Sequence, residues 1–151
     1  GFVTSLSETT PEMIVMKGTL NNESVKLLIV GTPTTKLTRK LVVLYPEETS
    51  WYSLVKKFDD VVTKMTQKYG SPTQEHRFFS EPYELGDGYE MTAVAVEKCY
   101  YMSVWESNDT YPNQTLAVRI SSSNKVVLIY ENNTLMEKGE KEQEEIDKST
   151  Y

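Results

Sequence analysis

SWYSLVKKFDDVVTKMTQKYGSP, residues 50–72, decides the fold. Trp51, Leu54, Val55, Phe58, Val62, Met65 and Tyr69 recur at spacings of three and four. That spacing puts their side chains on one helical face. Lys56, Lys57, Asp59, Asp60, Lys64, Gln67 and Lys68 take the opposite face. Thr49 or Ser50 can accept from the first free amides. Gly70 suits the left-handed position past the last turn, and Pro72 prevents continuation. The pattern predicts an amphipathic helix over about 50–69, roughly five turns long. A face this wide needs a sheet or a second helix to cover it.

Upstream, Met13 to Leu20 and Ser24 to Val30 read as strands joined at Asn21-Asn22, because Asn tolerates positive φ. Lys36 to Tyr45 reads as a third strand that ends at Pro46. Residues 1–12 are Ser/Thr-rich, with an apolar start at Phe2-Val3 that suits an edge strand or a loose end. Downstream, Thr73 to Phe79 predicts a short strand, followed by a loop over 80–88 with Pro82, Gly86 and Gly88. Tyr89 to Val96 alternates as a strand would, and its Met and Ala content also permits a short helix; the strand is the favoured expectation. Cys99–Trp105 continues as a strand, and Leu116–Ser121 with Lys125–Glu131 forms a hairpin. The order β-β-β-α followed by strands implies α+β, an antiparallel sheet with the long helix packed on one face.

The expected organisation is one α+β domain over 1–133, followed by a charged tail over 134–151 that is partly disordered or helical. The tail reads EKGEKEQEEIDKST after Met136. Only Leu135, Met136 and Ile146 offer apolar anchors, so the expectation is a solvated end.

At 151 residues the chain is long enough to bury a real core. Twenty-two acidic against 16 basic residues leave a net charge of −6. That balance argues against a nucleic-acid partner, which needs clustered Lys and Arg. No run approaches the length of a transmembrane segment. The chain opens Gly1-Phe2 without an initiator Met, and the expectation is that a signal or lipoprotein segment has been removed. One cysteine, Cys99, excludes an internal disulfide.

Catalytic chemistry finds little support in the residues. His76 is the only histidine, beside Glu75. There is no G-x-S-x-G elbow and no second imidazole for a triad or zinc site. Cys99 lies in an apolar strand, where free thiols are commonly inert. The 81–90 loop carries Glu81, Glu84, Asp87 and Glu90, but its spacing does not match a calcium-binding EF-hand. No cofactor, metal ligand set or catalytic residue is assigned.

The aromatic content is the more unusual feature. Phe78, Phe79, Tyr83, Tyr89, Tyr100, Tyr101 and Trp105 gather in a short span. Tyr and Trp are enriched at binding hot spots and present amphipathic faces. Tyr83 and Tyr89 flank Gly86 and Gly88, with Glu84 and Asp87 as nearby acceptors. Tyr83, Glu84, Asp87, Tyr89, Tyr101 and Trp105 are therefore the candidate ligand-binding residues. Strand alternation sends some of these rings into the core.

The succession KYGSP, FFSEPYELGDGYE, KCYYMSVWE and VVLIYEN, with the charged tail, resembles an uncharacterised family of secreted or lipoprotein-type proteins of gut-dwelling anaerobic bacteria. Its Tyr-Gly-x-Pro helix end matches Tyr69, Gly70 and Pro72. Its Gly-Asp-Gly-Tyr-Glu loop matches Gly86 to Glu90, and its Tyr-Glu-Asn strand end matches Tyr130, Glu131 and Asn132. The resemblance runs from about Lys17 onward. It implies a periplasmic or cell-surface location and carries no assigned chemistry.

The resulting expectation is a non-catalytic binding or interaction domain of a bacterial envelope, taking a protein or glycan ligand. The alternative is a hydrolase-type enzyme using Glu75 and His76 or the acidic 81–90 loop.

Overall fold

The helix read from residues 50–72 forms as α1, Trp51–Tyr69, in a computed structural model that describes residues 1–150. The Ser50 side chain accepts from the Ser53 amide at 3.1 Å and closes the first turn. At the other end Gly70 adopts φ 85° and donates its amide to the Thr66 carbonyl at 2.9 Å. Leu54, Phe58, Val61 and Val62 are the buried residues of α1. Val61 therefore joins the predicted face and widens it by one position.

The strands in chain order are β1 (Val3–Thr4), β2 (Met13–Leu20), β3 (Glu23–Gly31), β4 (Thr38–Leu44), β5 (Gln74–Phe79), β6 (Cys99–Trp105), β7 (Gln114–Ile120) and β8 (Val126–Asn132). A short helix α2, Glu90–Ala95, precedes β6, and α3, Asn133–Thr150, closes the described chain. The strands form one eight-stranded antiparallel sheet ordered β1-β2-β3-β4-β8-β7-β6-β5. The architecture is α+β, as the element pattern implied.

The residues pack as two compact units. One holds Gly1–Val43, Ser107–Thr115 and the stretch from Ile129 onward; the other holds Leu44–Glu106 and Leu116–Leu128.

In the first unit β2 and β3 pair from Met13↔Val30 to Leu20↔Glu23. Asn21 and Asn22, at φ 51° and 65°, make the two-residue turn between them. A Cβ at Gly18 would collide with the Phe2 ring, so the glycine lets the N-terminal strand lie close. The expected tail is the helix α3 up to Thr150, while Tyr151 lies outside the described residues. Its anchor is polar. Glu142 is buried and accepts from the Thr34 amide at 2.7 Å, the Thr35 amide at 2.8 Å and the Thr35 hydroxyl at 3.0 Å. Burial raises its carboxyl pKa, and the hydrogen bonds from Thr35 and Thr34 outweigh that and leave it below the ordinary value. Gly139 sits against the Arg39 side chain, whose guanidinium would have to shift to admit a Cβ. Ile146, one of the tail's three apolar residues, is exposed.

In the second unit α1 packs on one face of β6, where Trp51 and Phe58 meet Tyr101. Tyr101, Ser103 and Trp105 alternate inward along β6. Leu116 and Val118 do so on β7, in register with Trp105 and Ser103. Trp105 donates its Nε1–H to the Gly70 carbonyl at 2.8 Å, which ties the end of α1 to the sheet. The strand favoured for Tyr89–Val96 is instead the helix α2. Ala93 and Val94 are its buried residues. The backbone bonds decide it: the Ala93 amide donates to the Tyr89 carbonyl at 2.9 Å and the Val96 amide to the Thr92 carbonyl at 3.1 Å, the four-residue spacing of a helix rather than a ladder to another strand.

Candidate aromatic recognition site

Strand β5 is the edge of the sheet beyond β6, and its register decides what the aromatic span presents. Phe79 pairs with Cys99, Phe78 with Tyr100, Arg77 with Tyr101 and His76 with Met102. Alternation then divides the rings between two faces. Phe79 and Tyr101 turn toward α1, where Trp51 packs edge-on against both, at 5.3 and 5.1 Å between centroids. Tyr101 also meets the Phe58 ring edge-on at 5.7 Å. Burial and the neighbouring Cys99 raise the Tyr101 phenol above its ordinary pKa.

Phe78 and Tyr100 take the other face. Their rings stack at 4.9 Å with an interplanar angle of 23°. They remain 50% and 45% exposed. Directly opposite residues on adjacent strands are close enough for such a pair, which is why the register creates it.

The connection from β5 to β6 begins beside this pair. The Ser80 amide donates to the Lys98 carbonyl at 2.8 Å and closes the base of the loop. Within the loop, Asp87 accepts from the Glu84 amide at 2.9 Å and from the Tyr89 amide at 2.7 Å. Both carboxylate oxygens are thus spent on local backbone, in the manner of an Asx turn. Gly86 and Gly88, at φ 87° and 83°, supply the left-handed positions this turn needs. The outcome is a shaped loop that leaves Tyr89 63% and Leu85 65% exposed.

The six expected binding residues therefore separate. Tyr83, Glu84, Asp87 and Tyr89 lie in the loop, with Tyr83 half-buried, Glu84 exposed, and Asp87 acting as its organiser. Tyr101 and Trp105 are core residues facing α1. Phe78 and Tyr100 are the exposed rings beside the loop. Their signal in the sequence was the alternation itself, once Tyr101 and Trp105 are placed inward.

The candidate catalytic groups are spread by the same geometry. Glu75 and His76 are neighbours on β5, so their side chains leave on opposite faces. Cys99 shares the α1 face with Phe79, and His76 points to the other. Burial pushes the Cys99 thiol up to about 11, away from the thiolate a nucleophile requires. Among the described residues no group of three or more His, Cys, Asp or Glu side chains is placed to hold a metal ion. Among the described residues no helix is long and apolar enough to cross a membrane.

No protein-family model matches the chain, and neither a curated protein nor a solved structure does.

Proposed function

We propose that this chain is a non-catalytic binding module of a bacterial cell envelope, with a protein or glycan ligand. The observation that carries the reading is the exposed Phe78–Tyr100 stack beside a loop that Asp87 holds in shape. Exposed stacked rings on a rigid sheet lose little conformational entropy on binding, and aromatic anchors dominate recognition surfaces. Tyr89 and Leu85 are further exposed apolar side chains in that loop, and the exposed Glu84 adds an acceptor for hydroxyl or amide groups. The envelope location rests on the resemblance of the motifs at 69–72, 86–90 and 130–132.

Two-dimensional amide NMR, with soluble peptidoglycan fragments and detergent-solubilised envelope proteins as probes, tests the reading. Expected shifts concentrate at Phe78, Leu85, Tyr89 and Tyr100, and they vanish in a Phe78→Ala/Tyr89→Ala double variant. Probes that leave the wild-type spectrum unchanged, or shift both proteins alike, would sink it.

A further inference from the structure

We infer that this chain self-associates through β5, two copies pairing their edge strands antiparallel about a twofold axis on His76. The inference concerns the strand edge rather than the Phe78–Tyr100 face, and it stands apart from the ligand proposed above.

Strand β5 ends the sheet, and five of its six residues are exposed. It carries no proline and no lysine, two of the usual guards of an open edge. Its backbone polarity can be read from the ends of the ladder. The Ser80 amide donates to Lys98, in the register that pairs Phe79 with Cys99. In an antiparallel ladder this turns the amides and carbonyls of Phe78 and His76 toward β6 as well. Those of Glu75, Arg77 and Phe79 point to the open edge.

An isologous pair must bond outward-pointing residues to one another. That restricts the registers to those that oppose odd-numbered residues of the two copies. Pairing Glu75 with its own copy opposes two carboxylates. Pairing Arg77 with its own copy opposes two guanidinium groups. The remaining central register sets Glu75 against Arg77 of the second copy, twice, and places His76 opposite itself on the axis. Directly opposite charges of unlike sign favour a strand pair, and like charges disfavour it. The strand is therefore charge-complementary to itself in one central register.

Both charged groups are available for this. Glu75 has no hydrogen-bond or ion-pair partner among the described residues. Arg77 already meets Asp59 through Nη2 at 2.5 Å, yet its guanidinium carries five donors and its side chain is 40% exposed. The Asp59 contact holds Arg77 in place over α1 before a partner arrives, which lowers the ordering cost of the second ion pair.

Sedimentation analysis across a concentration series, joined to site-directed crosslinking, tests the register. Wild-type protein should shift toward twice the monomer mass as concentration rises. Glu75→Lys, which turns two attractions into two repulsions on an exposed side chain, should weaken the dimer by about tenfold or more. In a Cys99→Ser background, His76→Cys lies at a non-hydrogen-bonded pair with Cα atoms about 4.5 Å apart, within disulfide range. It should crosslink under mild oxidation. Gln74→Cys is about 13 Å from its own copy in this register and should not. Circular dichroism of each variant controls for folding, since positions 74, 75 and 76 are all exposed. Monomer mass up to about 1 mM, a regime weaker than specific association, would overturn the inference. So would crosslinking at position 74 equal to that at 76, because the dimer would then use another register or surface.

Discussion

The guanidinium carbon of Arg77 stands 5.0 Å from the centroid of the buried Phe58 ring. It also lies 5.6 Å from the Tyr101 ring, and its Nη2 reaches Asp59. One side chain of an exposed edge strand is thus clamped onto both α1 and β6. Arg77→Ala removes a cation–π contact and a partly exposed ion pair, and should cost about 1 kcal/mol. Denaturant unfolding at low protein concentration checks this; a midpoint equal to wild type would mean that the clamp contributes nothing.

Phe58 itself is fully buried beneath that clamp. Phe58→Ala should cost about 3–5 kcal/mol, from lost transfer energy and the cavity left between α1 and β6. Calorimetry gives the answer directly, and a thermal melt unchanged by the substitution would refute the packing of α1 described above.

Glu142 serves as the polar anchor of α3, so Glu142→Ala should free the Thr34 and Thr35 amides. Hydrogen exchange at those two amides should accelerate, and truncation before residue 138 should produce the same acceleration. Protection retained at both amides in either variant would show that another group holds the turn.

Acid should weaken the same unit. The Glu8 carboxyl is held down to about 2 by the hydrogen bond from Lys26, with Ser5 and Lys17 adding to it. An unfolded carboxyl titrates near 4.5. Between those values the unfolded chain binds more protons than the native one. The stabilising contribution is therefore complete above pH 4.5 and is lost as pH falls toward about 2. Glu142, whose carboxyl is also shifted down, acts in the same direction. Wild type should lose stability more steeply below pH 4.5 than a Glu8→Gln variant, and parallel curves would contradict the assignment.

Asp87 shapes the recognition loop without supporting the core. Asp87→Ala should raise the mobility of residues 84–89 on the NMR relaxation timescale while changing global stability by about 1 kcal/mol or less. A loop that stays ordered would show that Gly86 and Gly88 suffice to set its path.

Some of this structure was legible residue by residue. The three-and-four spacing from Trp51 to Tyr69 marks α1 because each position responds to the turn before and after it. Ser50, Gly70 and the Asn21-Asn22 pair mark their element ends for equally local reasons, a side-chain acceptor and positive φ. Helix α2 is obscured because its period-two pattern also suits a strand, and only the i to i−4 backbone bonds of Ala93 and Val96 separate the two. For the aromatic span, composition pointed to Tyr101 and Trp105, while the register of β5 on β6 left Phe78 and Tyr100 outside.

By itself the sequence determined where the chain turns, which segment is the long helix, and that strands and helix meet as α+β. Periodicity and turn chemistry act over a few residues, so they can be read in one dimension. Only the tertiary structure decided that Glu142 would find Thr34 and Thr35 across more than a hundred residues, and which rings would face water. Those outcomes depend on strand register and on long-range satisfaction of buried polar groups, which no local pattern encodes.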